Sequence, residues 1–86
     1  MSEDLDKTFF EAVDRVSKTE KTLPPDVLLK LYAFYKQGTK GDSSSIAHTD
    51  VNDIRNAFKF NAWIQLNGMS ANEAKKAYIA LAEEVL

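Results

Sequence analysis

The spacing of the apolar residues constrains this chain most. They recur at three- and four-residue steps in four segments and alternate with polar residues in none. Such steps place apolar side chains on one side of an α-helix, whereas a half-exposed β-strand requires strict alternation. The sequence therefore predicts an all-α protein with four helices and no strand. Its 86 residues suit one domain, so we expect residues 1–86 to fold as a single unit.

Proline and glycine mark the expected boundaries of the first half. The apolar stripe of the first helix predicts its extent as residues 4–17. Pro24 and Pro25 should open the second helix, because the amide that proline lacks would have no acceptor within the first turn. Gly38 is the expected C-cap. We expect residues 39–48 to form an irregular segment.

Capping residues set the boundaries in the second half. Thr49 or Asp50 can accept a hydrogen bond from a first-turn amide, and we predict that the third helix runs from there to about Leu66. The segment from Ser70 to Glu73 has the form of a capping box. A fourth helix should therefore begin there and continue to the C-terminus.

Composition argues against several classes of protein. A net charge of -2 does not indicate the broad basic surface of a nucleic-acid-binding protein. The absence of cysteine excludes disulfides, thiolate catalysis and thiolate metal sites. The single histidine, His48, has no evident partner, and no metal-ligand spacing is recognisable. We expect no enzyme, no catalytic residue, no metal and no cofactor.

Hydropathy gives an expectation for location. The acidic start of the chain lacks the apolar core of a signal peptide, and no run of residues is long enough to span a membrane. We therefore expect a cytoplasmic protein without stable membrane insertion. A monomer is the expected state.

One short segment combines aromatic rings with a cation. Tyr32 and Tyr35 lie on one helix face with Leu28 and Leu31, and Lys36 lies one turn above Tyr32. Two rings beside an ammonium group could stack on a flat base and hold a phosphate. Tyrosines at helical spacing are nevertheless more often core residues, so spacing alone favours packing over binding.

Further cations lie on the third helix. Arg55 and Lys59 are four residues apart, so they share a face and repel each other by a few tenths of a kcal/mol. A nearby anion would relieve that repulsion. Such a pair is, however, more often part of a solvated face than of an anion site.

Taken together, these segments resemble the acyl-CoA-binding protein family, also called the diazepam-binding inhibitor family. The resemblance is most specific in the run Tyr-x-x-Tyr-Lys-Gln-x-Thr-x-Gly-Asp at 32–42. It continues in Lys-x-x-Ala-Trp at 59–63, in Leu-x-Gly-x-Ser at 66–70 and in Ala-x-x-Ala-Tyr-Ile at 74–79. The resemblance implies an up-down-down-up four-helix bundle that binds medium- to long-chain fatty acyl-CoA for transport or buffering, without chemical conversion.

The resemblance also implies roles for individual residues. Those matching the family's ligand contacts are Tyr32, Tyr35 and Lys36 on the second helix, Leu28 beside the acyl chain, Lys59 at the 3′-phosphate, Arg55 near a further family lysine, and Tyr78 near the adenine. Phe58 and Phe60 depart from the family pattern, as does Ser17, where some members have lysine. The alternative is a small helical protein-interaction module that offers its apolar groove to a partner.

Overall fold

The structure is a computed structural model, and it describes residues 2–41 and 54–86. These residues form four α-helices and no strand, which confirms the predicted all-α class. The helices, in chain order, are α1 (Ser2–Lys18), α2 (Pro25–Lys40), α3 (Ile54–Ile64) and α4 (Ala71–Val85).

Polar contacts at both ends of α1 show that it runs parallel to α4. Near the start of both helices, the ammonium group of Lys75 is 2.6 Å from a carboxylate oxygen of Asp6. Just beyond the end of α1, Lys21 donates a hydrogen bond of 2.6 Å to the backbone oxygen of Leu86, which follows α4. The N-terminal parts of α1 and α4 are therefore in contact, and so are the chain segments at their C-terminal ends.

The second and third helices both run opposite to α4. Near the C-terminal end of α2, the Gln37 amide donates to the carbonyl oxygen of Met69, which lies just before α4 (2.8 Å). Along the contact between α2 and α3, Lys59 lies beside Tyr32 and Trp63 lies beside Gln37, so these two helices are parallel. This arrangement confirms the up-down-down-up topology.

Phe9 is the centre of the core. Its ring is fully buried and meets the ring of Tyr78 edge-on at a centroid distance of 5.2 Å. It also stacks on the ring of Tyr35 at 6.1 Å, so α1, α2 and α4 all meet there. Phe10 lies off the apolar stripe of α1, and its side chain is 53% exposed.

The predicted C-cap of α2 was wrong. The helix continues through Gly38 to Lys40, so the predicted irregular segment 39–48 begins as helix, and its part beyond Gly41 lies outside the described residues. Gly41 is the actual cap, with a φ of +80° that favours glycine. Gly38 is buried against α4, where an added Cβ would lie 3.1 Å from Cγ of Lys75. Its role is therefore close approach between helices.

The predicted third helix is only partly described. Its expected start at Thr49 or Asp50 lies outside the described residues, and the described part begins at Ile54. It ends at Ile64 rather than at Leu66. Backbone bonds between residues three apart tighten the chain into turns after that point, as is common at helix ends.

Two predicted helix starts agree with the structure. Pro25 is the first residue of α2, and the carbonyl of Pro24 accepts from the amide of Leu28 at 3.1 Å. Ser70 is the N-cap of α4, and its hydroxyl accepts from the amide of Glu73 at 3.1 Å.

Candidate ligand-binding groove

All three tyrosines of the chain line one groove, which we call the tyrosine groove. It lies among α1, α2 and α4 and has a volume of about 230 Å³. The predicted apolar face of α2 forms one wall. The lining residues are Val13, Val16, Ser17, Leu28, Leu31, Tyr32, Tyr35 and Tyr78.

The three rings differ in how firmly they are held. Phe9 contacts Tyr35 face-on and Tyr78 edge-on, so these two rings are fixed by the core. Tyr78 is buried, whereas Tyr35 and Tyr32 are both partly exposed. The groove therefore combines one buried ring with two rings that solvent can reach.

Burial raises the pKa of the Tyr32 and Tyr78 phenols. Burial first, and the nearby Tyr35 second, raise the pKa of Tyr78 to about 12. Burial also raises the pKa of Tyr32 above its ordinary value. Both hydroxyls therefore remain neutral donors near pH 7.

Two lysines from different helices flank one of these rings. The ammonium group of Lys36 on α2 lies 5.6 Å from the ring centroid of Tyr32, and that of Lys59 on α3 lies 5.3 Å from it. Lys36 is also 5.9 Å from the Trp63 ring. Within residues 2–41 and 54–86, neither ammonium group is paired with a carboxylate. This side of the groove is thus suited to an anion.

A buried glutamine sets the position of these cations. Gln37 is fully buried; its amide oxygen accepts from the Trp63 indole at 3.1 Å, and its amide nitrogen donates to Met69. The same indole also donates to the carbonyl of Gly41 at 2.9 Å. These bonds hold α3 in register with α2, which places Lys59 opposite Tyr32. We call the four residues joined by these bonds, Gln37, Gly41, Trp63 and Met69, the polar clamp.

Sequence reasoning did not assign a role to Gln37. A signal was available, because Gln37 follows Ala33 by four residues and so continues a strip of α2 that is buried. A polar side chain on a buried strip needs a partner, and tryptophan carries a suitable donor. The identity of that partner depends on how α3 packs, which spacing alone does not give.

A second cavity adjoins the tyrosine groove, and we call it the apolar cavity. Its volume is about 350 Å³, and it lies between the N-terminal part of α2 and the facing side of α3. Leu28 lines both spaces, so they are neighbours. The lining residues are Pro25, Leu28, Leu29, Phe58 and Lys59.

The structure brings most of the predicted site residues together. Leu28, Tyr32, Tyr35 and Tyr78 line the tyrosine groove, while Lys36 and Lys59 flank it. Arg55 belongs to α3, but its side chain lies outside the described part of the structure, as does the whole of His48. Ser17, which departs from the expected family pattern, lies on the wall of the groove.

Comparison with known proteins decides the family. The family model described as "Acyl CoA binding protein" matches residues 6–82. This chain belongs to the acyl-CoA-binding protein family. The resemblance recognised in the sequence is thereby confirmed.

Relatives within the acyl-CoA-binding protein family align over most of the chain. Acyl-CoA-binding protein homolog 1 of Caenorhabditis elegans is 41% identical over 78 residues, which cover 90% of each chain. Acyl-CoA-binding protein of Dictyostelium discoideum is also 41% identical over 78 residues, covering 91% of this chain and 92% of its own.

The fold also matches a solved structure of an acyl-CoA-binding protein. The crystal structure of Oryza sativa Acyl-CoA-Binding Protein 2 superposes with a TM-score of 0.84 at 26% sequence identity. The match covers 93% of this chain and 88% of the rice chain.

The described part of the molecule shows neither a membrane-spanning helix nor a metal-binding cluster. None of its helices combines the length and the apolar character needed to cross a membrane. No three of its aspartate and glutamate side chains are grouped so as to hold a metal ion.

Proposed function

We propose that this protein binds medium- to long-chain fatty acyl-CoA inside the cell, in the cytoplasm, and buffers or transports it as a monomer without converting it. One observation carries the proposal: a groove lined by tyrosines and flanked by two lysines adjoins an apolar cavity. Acyl-CoA has the same two parts, an anionic nucleotide head and an aliphatic tail. Membership of the acyl-CoA-binding protein family supports the same ligand.

The head of the ligand would occupy the tyrosine groove. Stacking of a base on an aromatic ring contributes about 1–3 kcal/mol, and Tyr32, Tyr35 and Tyr78 offer such surfaces. Lys36 and Lys59 would bind the phosphates as point charges, which requires no bidentate geometry. We assign Arg55 to the same anionic part on the basis of its position in the family pattern.

The tail would leave the head at Leu28 and enter the apolar cavity. Each methylene removed from water contributes about 0.8 kcal/mol, so a long chain could supply most of the gross affinity. Leu28 contacts both spaces and would lie at the junction between head and tail.

The chemistry of the groove favours binding over catalysis. Hydrolysis of a thioester would need a general base or an activated nucleophile. The phenols of Tyr32 and Tyr78 have raised pKa values and stay protonated, while the lysines near them suit charge neutralisation. We therefore propose a carrier, with no resident cofactor.

Titration calorimetry with hexadecanoyl-CoA, free CoA and free hexadecanoate tests this proposal. We expect the thioester to bind at least a hundredfold more tightly than either part, because only it fills both spaces. Lys59→Ala should weaken its binding about tenfold, since a charge-assisted hydrogen bond contributes about 1.5–3 kcal/mol. Lys7→Ala, an exposed lysine on α1, is the matched control and should change nothing. Equal affinity for free hexadecanoate would overturn the proposal.

A protein-interaction module is the second candidate, and one feature favours it. A cleft of about 500 Å³ lies on the other side of α2, between α3 and α4, and includes Phe34, Leu66 and Leu81. A partner helix would place apolar side chains there. Native mass spectrometry of protein purified from cells separates the two candidates, because a carrier should retain an acyl-CoA mass and a module should retain a polypeptide.

A further inference from the structure

The apolar cavity has an exposed aromatic wall. Phe58 on α3 is 58% exposed, and Leu28 on α2 is 49% exposed. Both line this cavity, one on each side. Large apolar side chains that remain exposed around a concave surface commonly mark a place where something apolar binds.

The position of Phe58 separates its effect from that of the phosphate site. It precedes Lys59 by one residue, and successive side chains on a helix point about 100° apart. Both residues line the apolar cavity, but Lys59 also reaches the ring of Tyr32, whereas Phe58 is absent from the lining of the tyrosine groove. A change at Phe58 should therefore affect the tail of a ligand and leave its head unaffected.

The ring forms a wall and does not fill the cavity. About 350 Å³ of space remains beside it, bounded on the other side by Pro25, Leu28 and Leu29. A chain passing Leu28 would thus be enclosed between an aliphatic surface on α2 and an aromatic surface on α3. A small side chain at position 58 would leave the α3 side of that chain in water.

We propose that Phe58 determines acyl-chain specificity, by covering the part of the chain beyond Leu28 and so favouring long chains over short ones. This inference rests on the proposed function. The gain applies only to chains long enough to extend along the ring beyond Leu28. A short chain ends near Leu28 and covers little of the ring.

Dissociation constants of octanoyl-, dodecanoyl- and hexadecanoyl-CoA for wild type and Phe58→Ala provide the test. We expect about a tenfold loss for hexadecanoyl-CoA, because truncation removes the apolar contact between the ring and the acyl chain. The loss for octanoyl-CoA should be less than about twofold, with dodecanoyl-CoA between them. Phe58→Leu should restore most of the long-chain affinity, because it restores an apolar wall.

Phe10→Ala is the matched control, because Phe10 is 53% exposed and lies on α1, away from the apolar cavity. It should leave all three affinities unchanged, and circular dichroism should show equal helicity for every variant. An equal loss for all three thioesters, or no loss at all, would overturn the role of Phe58 and leave the proposed function standing. Failure of the wild type to bind any of them would overturn the proposed function itself.

Discussion

The two ends of α2 are built in opposite ways. At the C-terminal end, the polar clamp joins Gln37, Trp63 and Met69 by hydrogen bonds in a buried setting. At the N-terminal end, Leu28 faces Phe58 across a cavity, and both side chains remain about half exposed. We call the C-terminal end of α2, with its buried hydrogen bonds, the closed end, and the N-terminal end, beside the apolar cavity, the open end.

This difference indicates a division of roles along a single helix. The polar clamp fixes the distance and register between α2 and α3, because a buried amide left without partners costs about 1–3 kcal/mol. The open end keeps apolar surface in water, which is unfavourable until a ligand covers it. Substitutions at the clamp should therefore affect folding first, and those at the open end should affect binding first.

The largest effect on folding is expected from Gln37→Leu. The substitution removes one of the two acceptors of the Trp63 indole and the donor to Met69, so the free energy of unfolding should fall by about 2–3 kcal/mol. Urea unfolding followed by circular dichroism measures it. Gln65→Leu, at an exposed glutamine after α3, is the matched control and should cost under about 0.5 kcal/mol. Equal costs at the two positions would mean that the clamp does not stabilise this end.

A comparable effect is expected at alkaline pH from Tyr78, which lies in the buried part of the tyrosine groove. Its pKa is raised to about 12 from an ordinary value of 10.0, so above pH 10 the unfolded chain loses this proton while the folded chain retains it. The free energy of unfolding should therefore fall between about pH 10 and pH 12, by up to about 3 kcal/mol at about 1.36 kcal/mol per pKa unit. Below pH 10 the group contributes no pH dependence.

Urea unfolding of wild type and Tyr78→Phe at intervals from pH 8 to pH 12 isolates this effect. Because phenylalanine does not titrate, the variant should lose less stability over that range. Parallel curves for the two proteins would show that Tyr78 does not contribute. Tyr35→Phe tests the second cause, because it leaves burial of Tyr78 as the main reason for the raised pKa.

A smaller cost is expected from Gly41→Ala at the end of the clamp. Gly41 has φ +80° and ψ -153°, a region that is essentially restricted to glycine, and its carbonyl accepts from Trp63. The substitution should lower the free energy of unfolding by about 1–2 kcal/mol, measured in urea. Gly38→Ala, inside α2, should cost less, because the gain in helix propensity offsets its contact with Lys75. The reverse order would contradict the assignment of Gly41 as the cap.

Much of the open end could be predicted from sequence. The helical spacing of Leu28, Tyr32 and Tyr35 depends only on local geometry, and the structure places all three on one wall. The start of α2 at Pro25 likewise follows from local chemistry. The approach of Lys36 and Lys59 to the Tyr32 ring could not be predicted from local geometry, because it depends on the register of α2 and α3. Only the resemblance to a family implied that both lysines belong to one site.

The closed end could not be predicted in the same way. Gly38 has the usual appearance of a helix C-cap, yet α2 passes through it, and the missing side chain leaves room for Lys75 on α4. Because both residues are glycine, residue type alone does not distinguish Gly38 from the true cap, Gly41. Its role depends on the carbonyl that Trp63 needs, and that bond spans 22 residues along the chain. Tertiary packing, rather than local preference, decides between the two glycines.

The smallest effect on folding, and the sharpest contrast with Gln37, is expected from Leu28→Ala. Leu28 is 49% exposed, so truncation removes little buried surface, and alanine favours helix; the free energy of unfolding should change by less than about 1 kcal/mol. Affinity for hexadecanoyl-CoA should nevertheless fall about tenfold, because Leu28 borders both the tyrosine groove and the apolar cavity.

Ile64→Ala, at a residue 40% exposed at the end of α3, is the control for an exposed aliphatic side chain outside both spaces. It should change neither quantity by much, when both are measured by urea unfolding and titration calorimetry. If Leu28→Ala instead lost stability and kept its affinity, the open end would be part of the folding core and the division of roles along α2 would be wrong.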